Sequence, residues 1–249
     1  MARPGDRRGL PPLHYLGRTT DPPPVWLETR ARLEHARLLR DPLYAGDGAL
    51  PRGGGRPILL VPGFMGGDRS MDTMRDWLLR LGYAVEPSGL AFNIRYSEAV
   101  LLTLAPRLAD LARRSRRRVT IVGHSRGGLL AKVLADRHPR LVRGVVGLGS
   151  PFADPFDIHP LTMAGVRLAE AANLVRYGKT ASVEVGFLHE LAAPARVPLT
   201  SIYSRSDGIV HWEACLRGDA TCLEVVGSHT GLGVNPEVYA LLARVLPGA

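Results

Sequence analysis

Cysteine is scarce in this sequence, which has only two, Cys215 and Cys222, among 249 residues. They flank a short turn that contains Gly218 and Asp219. A disulfide between them and a pair of free thiols are both compatible with this spacing. Two cysteines with no nearby pair of further ligands do not make a metal site, so we expect none.

Long hydrophobic runs are absent, because Arg, Pro or Gly interrupts every apolar stretch before it reaches the length of a bilayer span. The segment Met1–Arg8 is charged and lacks the apolar centre of a secretory signal peptide. We therefore expect a cytoplasmic protein. No repeat of fixed period is visible, and 45% hydrophobic content over this length is enough for one enzyme domain.

Lysine is nearly missing, so arginine supplies almost all of the positive charge behind the net charge of +9. The densest run is Arg113-Arg114-Ser115-Arg116-Arg117-Arg118. No aromatic residue is interleaved with it, so it offers no platform on which bases could stack. We interpret the run as a solvated turn between a helix and a strand. Attraction to anionic lipid is the next interpretation, and nucleic-acid binding is not expected.

The most informative motif is Gly123-His124-Ser125-Arg126-Gly127-Gly128, which directly follows the apolar run Val119–Val122. After it, apolar residues recur at helical spacing: Leu129, Leu130, Val133 and Leu134. A strand that enters a helix through a tight turn, with a serine at the apex, predicts a nucleophile elbow. The serine is strained there, so its neighbours two positions away must be small. Gly123 and Gly127 meet that requirement.

A serine nucleophile needs a base, and the base needs an acid that orients it. After an elbow serine, the acid comes first along the chain and the histidine second. Asp207 lies in the loop after the predicted strand Val197–Tyr203, and His229 lies in the loop after the predicted strand Cys222–Val226. Both follow the carboxyl ends of strands, as Ser125 does, and that edge of an open α/β sheet is where ligands bind.

Other residues compete for the two roles. Asp154 and Asp157 follow the strand after the elbow helix and are alternatives to Asp207 as the acid. Asp219 is less favoured because it lies in a turn just before a strand. Among the eight histidines, His229 is preferred because it follows the last predicted strand.

Acyl transfer also needs two backbone N–H groups that stabilise the oxyanion. One belongs to the residue after the nucleophile, here Arg126 at the N-terminus of a helix. The other comes from the loop after an earlier strand. The apolar run Ile58–Val61 is followed by Pro62-Gly63-Phe64-Met65-Gly66-Gly67, which predicts Phe64 as that donor. The alternative is that these glycines only form a strand-to-helix turn.

Together, five segments resemble the α/β-hydrolase superfamily and, within it, the bacterial lipases and esterases. They are Pro62-Gly63-Phe64, Gly123–Gly128, Gly149-Ser150-Pro151, Ser206–Val210 and Gly227-Ser228-His229. The resemblance covers residues from about Arg56 onward. It implies Ser125 as nucleophile, His229 as base, Asp207 as its partner, and Phe64 and Arg126 as oxyanion donors. Many bacterial lipases have His-Gly where this chain has Pro62-Gly63.

The pattern predicts an α/β fold with a mostly parallel central sheet and helices on both faces. Residues 1–55 are expected to form an arm, irregular to Pro24 and helical over Val25–Leu39, with a stripe of Trp26, Leu33 and Leu38 or Leu39. That helix packs on the domain or rests on a membrane surface. Residues 56–249 are expected to form the hydrolase domain, with 152–194 as a helical cap. Ser97 is expected to cap a helix that Pro106 kinks.

Within the cap, a helix over Leu161–Val175 either lines an acyl pocket or packs on the sheet as an ordinary crossover, and both readings are kept. The expected substrate contacts are Met65, His124, Phe152, Phe156 and Ile158. Together with the triad and the oxyanion donors, these residues predict a serine carboxylester hydrolase. The apolar contacts favour a medium- or long-chain acyl ester as the substrate, and no cofactor is expected. An acyltransferase and a non-catalytic protein of the same fold are the alternatives. Peripheral contact with a lipid surface is kept open, and the sequence does not indicate the natural substrate or the oligomeric state.

Overall fold

The computed structural model describes residues 23–46, 50–177 and 181–247; the arm expected over Met1–Pro24 lies mostly outside them. Its centre is a six-stranded sheet in the order β2-β1-β3-β4-β5-β6, with every neighbouring pair parallel. The strands are β1 (Pro57–Val61), β2 (Ala84–Pro87), β3 (Val119–His124), β4 (Val142–Leu148), β5 (Leu199–Ser204) and β6 (Thr221–Val225). The predicted fold class is confirmed, and the described sheet is wholly parallel.

Helices cover both faces of this sheet. They are α1 (Ala31–Arg40), α2 (Pro42–Ala45), α3 (Asp72–Arg80), α4 (Ser97–Ser115), α5 (Arg126–Arg137), α6 (Pro160–Tyr177), α7 (Ala181–Ala192) and α8 (Pro236–Val245). Leu59 and Ile121 point into the core shared with α4, α5 and α7. Ile58 and Val122 point into the opposite core, with α1, α3 and α8. Burial on both faces explains why the sequence of β1 is an unbroken apolar run and that of β3 is interrupted only by Thr120 before its glycine.

The position of the candidate site follows from the point in the sheet where the strand order reverses. From β1 the chain moves outward to β2, and it returns to pair β3 on the other side of β1. Val61, the last residue of β1, is paired in register with Gly123 of β3. The loops that leave β1 and β3 therefore emerge side by side, at the switch point where open α/β sheets bind ligands.

The N-terminal helix packs on the domain with a different face from the predicted one. A 3₁₀ turn over Val25–Arg30 leads into α1. Of the expected stripe, Leu38 is fully buried, whereas Trp26, Leu33 and Leu39 are 70%, 51% and 53% exposed. The side chain that α1 buries instead is Glu34, at 6% exposure. The apolar pattern was only partly informative, because this helix docks through one leucine, Leu38, and one carboxylate, Glu34.

Helix α4 differs from the prediction in two details. Its N-cap is Tyr96 and not Ser97. The Ser97 hydroxyl and backbone N–H both donate to the carboxylate of Glu184 on α7, so a residue from another helix satisfies this N-terminus. Pro106 lies inside the continuous helix Ser97–Ser115 and does not end it.

The connection from β4 to β5 contains two helices. One packs on the sheet as a crossover helix, and the other lies farther from the sheet. Helix α7 carries Phe187, Leu188 and Leu191 into the sheet core and is the crossover helix. Helix α6 lies outside it, and its Leu161, Leu168 and Val175 are 71%, 73% and 89% exposed. No helix of the described residues is both long and apolar enough to cross a bilayer.

Candidate active site

Ser125 occupies the turn between β3 and α5 with φ 53° and ψ −125°, a conformation that is strained for any residue with a side chain. Its glycine neighbours are required by contact. A Cβ on Gly123 would overlap the backbone of Gly127 and Gly128, and a Cβ on Gly127 would overlap the carbonyl oxygen of Val61. The local geometry is therefore the strained strand–turn–helix that the predicted nucleophile elbow requires.

Asp207 and His229 form a buried pair, each 4% exposed, with Oδ2 of Asp207 2.6 Å from Nδ1 of His229. The other oxygen, Oδ1, accepts from the backbone N–H groups of Ile209 and Val210 at 2.8 and 2.7 Å. Burial alone would lower the pKa of His229, but the charge and hydrogen bond of Asp207 and the charge of Glu28 raise it above its ordinary value.

The Asp207–His229 pair lies next to the elbow. The backbone N–H of Ser125 donates to Leu148 O at 2.8 Å, and the next residue, Gly149, faces the pair. A Cβ on Gly149 would lie 3.0 Å from His229 Nδ1 and 3.2 Å from Asp207 Oδ2, and its φ is +57°. Among the hydrogen bonds of the described residues there is none from Ser125 Oγ to His229. The complete triad therefore stays a prediction, whereas the hydrogen bond between Asp207 and His229 is present.

His124 supports the histidine loop. Its Nε2 lies 2.9 Å from the carbonyl oxygen of His229, to which it donates, and the two rings are 4.9 Å apart between centroids. Burial, and then the charge of His229, lowers the pKa of His124 to about 4. A neutral His124 can hold the His229 backbone at neutral pH without adding charge to the pair.

The other candidates for the acid have different contacts. Asp219 is paired with Arg217 at 2.7 Å and accepts from the backbone N–H of Ala195. Asp157 lies 3.9 Å from His211, and Asp154 accepts from the backbone N–H of Phe156. Asp207 is thus the carboxylate that the structure joins to His229.

The segments of both predicted oxyanion donors lie next to Ser125: Arg126 follows it in the chain, and a Cβ on Gly63, the residue before Phe64, would be 3.2 Å from Ser125 Cβ. Arg126 is the first residue of α5, so its N–H has no acceptor one turn earlier within the helix. In the neighbouring turn, Met65 N–H donates to Asn93 O and Gly66 N–H to Gly63 O. Among the described residues, the Phe64 N–H donates no hydrogen bond to a backbone oxygen outside the helices and strands. Their catalytic role is a prediction that this geometry permits.

Asn93 was missed by the sequence reasoning, although it joins the two donor segments. It is fully buried, and its Nδ2 donates to Pro62 O at 2.8 Å. Its Oδ1 accepts from the Arg126 guanidinium at 2.8 Å. That guanidinium also donates to the carbonyl oxygen of Arg95 at 2.6 Å. A single Asn in an irregular stretch carries no signal in one sequence that could have revealed this role.

A cavity of about 740 Å³ opens beside the elbow. Phe64, Ser125, Arg126, Phe156 and Ile158 are among the residues that line it. Most of the remaining lining is apolar and comes from α5, the cap and the loop after β5: Leu129, Val166, Leu174, Phe187, Leu188, Ile209 and Val210. Charged side chains also reach it: Arg95, Arg167, Glu170 and Glu184. The cavity is therefore an apolar chamber with a polar margin next to the serine.

Three of the predicted substrate contacts lie elsewhere. Phe152 is fully buried in the sheet core, because Gly147 leaves room for its ring. Met65 is 63% exposed outside the cavity, and His124 is held against His229. Phe156 and Ile158 do lie on the cavity wall, and their contact with substrate stays a prediction.

The arginine run lies at the opposite edge of the sheet, as its sequence position predicts. Arg117 and Arg118 precede β3 and line a separate cavity of about 410 Å³ together with Arg56 and Arg143. Cys215 and Cys222, the two residues whose pairing the sequence left open, are free thiols, and Cys215 is buried.

A family model described as the alpha/beta hydrolase fold matches residues 111–168, the part of the chain that contains the elbow. A search of curated proteins gave no match of significance. Among solved structures, the mature lipase BlEst2 of Bacillus licheniformis is 16% identical, covers 81% of this chain and 96% of its own, and has a TM-score of 0.59.

Two further structures have the same arrangement. A report on the metagenome-derived lipolytic enzymes LipS and LipT describes one that is 16% identical, covers 80% of this chain and 95% of its own, and has a TM-score of 0.57. A soluble variant of the Saccharomyces cerevisiae monoglyceride lipase, in complex with a substrate analogue, is 13% identical, covers 80% and 88%, and has a TM-score of 0.54. At these identities the likeness defines the fold alone.

Proposed function

We propose that this protein, which has the α/β-hydrolase fold, is a serine carboxylester hydrolase in which Ser125, His229 and Asp207 form the triad. The observation that carries the proposal is the buried Asp207–His229 pair beside a strained serine elbow. A serine that is merely structural does not need a strained backbone or two glycines without room for a Cβ.

The reaction follows from the roles that the geometry offers. His229 Nε2 takes the proton of Ser125 as Oγ attacks the ester carbonyl, and Asp207 stabilises the imidazolium that forms. The N–H groups of Phe64 and Arg126 donate to the oxyanion of the tetrahedral intermediate. The proton then passes to the leaving alcohol, and water resolves the acyl-enzyme by the same route.

The cavity supports an acyl chain of medium or long length as the substrate. Its volume of about 740 Å³ lies within the range of small-molecule sites, and its wall beyond the serine is mostly apolar. An acetyl group would leave most of that wall unoccupied. The burial of each further methylene contributes about 0.8 kcal/mol, so kcat/KM is expected to rise with chain length until the chamber is filled.

Contact with aggregated lipid is a further part of the proposal. The exposed Leu161, Leu168 and Val175 recur every seven residues and share one side of α6. Phe92, 67% exposed, belongs to the loop that α6 contacts through a hydrogen bond from Asn173 to Ile94 O. This apolar rim (Phe92, Leu161, Leu168 and Val175) is formed by α6 of the cap and the adjoining loop, and it suits a lipid surface.

A fluorophosphonate probe and a series of acyl esters test the proposal together. We expect the probe to label the wild-type protein and not Ser125→Ala. We also expect hydrolysis of p-nitrophenyl esters to increase from acetate to longer acyl chains in the wild type and to be lost in the variant. Ser115→Ala, which removes a serine on α4 away from the cavity, is the matched control. Equal labelling of wild type and Ser125→Ala, or a strict preference for acetate, contradicts the proposal.

A further inference from the structure

Glu28 contacts both loops that carry the acid–base pair. Its Oε1 accepts from the backbone N–H of Gly208, next to Asp207, at 3.0 Å and from the backbone N–H of His229 at 2.8 Å. Its Oε2 accepts from the N–H of Thr230 at 2.7 Å. One carboxylate thus binds the residue after the proposed acid, the proposed base and the residue after the base.

The loop after Asp207 has a glycine, Gly208, at the point where the N-terminal segment approaches it. A Cβ on Gly208 would lie 2.8 Å from Pro24 O and 2.9 Å from Glu28 Oε1, closer than real Cβ atoms approach such groups. The approach of the N-terminal segment therefore requires a glycine directly after Asp207.

Glu34 makes a parallel contact one helical segment later. The backbone N–H of Ser228 donates to Oε1 at 2.9 Å and its hydroxyl to Oε2 at 3.1 Å. Both Glu34 and Ser228 are buried. A Cβ on Gly231 would overlap Oε2, so this loop too is fitted to the carboxylate. Two carboxylates of the N-terminal segment hold the histidine loop in place.

Hydrogen bonds to a charged acceptor are among the stronger ones in proteins, and their loss leaves backbone donors without partners. We infer that Glu28 is a positioning residue of the active site, which fixes the Asp207 and His229 loops relative to each other and places a second negative charge beside the imidazole. The inference rests on the proposed function, because it assigns a task to Glu28 within that triad.

The groups that face His229 come from four elements. Asp207 follows β5, His124 ends β3, Glu28 lies in the N-terminal 3₁₀ turn, and Glu34 on α1 contacts the preceding Ser228. The charges of Asp207 and Glu28 raise the pKa of His229 against the effect of burial. Removal of the Glu28 charge should therefore lower that pKa. The imidazole would then be neutral at lower pH, and it would be a weaker base.

The test compares Glu28→Gln with wild type, using two measurements. NMR titration of the His229 ring gives its pKa without reference to catalysis, and the pH profile of kcat/KM on a soluble ester gives the acid limb. We expect the His229 pKa and the acid limb to move to lower pH in Glu28→Gln. The plateau value of kcat should fall about three- to tenfold while KM changes little, because transition-state geometry and not substrate binding is lost.

Two controls separate this role from a general effect. Glu98→Gln removes a carboxylate on α4 whose partner is Arg137, and it should change neither measurement. Glu28→Asp keeps the charge on a shorter side chain, so it should retain the wild-type acid limb and lose only part of kcat. If Glu28→Gln fails to fold, Glu28→Asp still decides, since a lowered His229 pKa in that variant contradicts a role for the charge.

An unchanged His229 pKa and an unchanged kcat in folded Glu28→Gln would overturn the inference while leaving the triad intact. Failure of the proposed function has a different signature. In that case the wild-type protein hydrolyses no ester and resists the fluorophosphonate probe, whatever the NMR titration shows.

Discussion

Asp207 uses its two carboxylate oxygens for separate tasks. Oδ1 accepts from the two backbone N–H groups of its own loop, and Oδ2 is left for Nδ1 of His229. The two bonds to Oδ1 fix the orientation of the carboxylate, and therefore the direction of the hydrogen bond between Oδ2 and His229. A turn carboxylate that only capped its own loop would not need to be buried against an imidazole.

Asp207→Asn tests directly whether this carboxylate orients the imidazole of His229. An amide nitrogen opposite Nδ1 favours the tautomer that carries its proton on Nε2, which cannot accept the serine proton. We expect kcat to fall by roughly 10³- to 10⁴-fold with little change in KM. Steady-state kinetics on a soluble p-nitrophenyl ester measures this, with Asp219→Asn as the control, since Asp219 pairs with Arg217. Retention of more than a tenth of wild-type kcat would assign the acid to another residue.

Helices α5 and α7 are joined by a buried lysine. Nζ of Lys132, on α5, lies 2.8 Å from Asp136 Oδ2 and donates to the carbonyl oxygens of Glu190 and Ala193 at 2.7 and 2.6 Å. These carbonyls are at the C-terminal end of α7, where backbone acceptors lack helical partners. The side chain is 1% exposed, so one ammonium donates to two carbonyl oxygens and forms an ion pair with one carboxylate away from solvent.

Lys132→Ala is expected to destabilise the fold by about 3–5 kcal/mol, because it leaves Asp136 charged, buried and without its counter-ion. Urea unfolding monitored by circular dichroism gives the free energy of unfolding. Arg113→Ala, on the exposed surface of α4, should change it by less than about 1 kcal/mol. A loss in Lys132→Ala as small as that of Arg113→Ala would mean that the buried pair does not stabilise the α5–α7 contact.

How much of this site the sequence predicts depends on where each signal lies along the chain. The elbow was predicted because strand, glycines and serine are contiguous, and Gly123 and Gly127 are there for contact reasons that a local pattern reflects. The burial of Phe152 was not predicted, since the space for its ring is created by Gly147 on β4. Glu28 was missed for a similar reason, because its partners are on other elements and the apolar pattern of Val25–Leu39 suggested a different docking face.

At the scale of the whole molecule, the cap presents two apolar surfaces, one facing the cavity and one facing solvent. Its inner side, with Val166 and Leu174, lines the cavity. Its outer side exposes Leu161, Leu168 and Val175 to solvent. A monomeric ester needs only the inner side, whereas an aggregated substrate would meet the outer side first.

Leu168→Glu separates these two surfaces. A charge on the outer side of α6 opposes contact with a lipid surface but does not touch the cavity, so we expect several-fold less hydrolysis of a vesicle- or micelle-bound ester. Hydrolysis of a soluble short-chain ester should stay unchanged. Sedimentation with phosphatidylcholine vesicles measures binding directly, and Leu102→Glu, which adds the same charge at an exposed position of α4, reports on the effect of charge alone. Equal activity of wild type and Leu168→Glu on aggregated substrate would rule out the outer side as a lipid contact.

The bond between Glu28 and His229 joins residues 201 positions apart. Closing so long a loop has an entropic cost that only the packed sheet between the two ends can offset, so this contact forms late in folding. A refolding chain should then recover its helical circular dichroism before it recovers catalysis. Catalytic activity would then be the last property that the refolding chain recovers. An incompletely folded intermediate would carry a serine that cannot yet react.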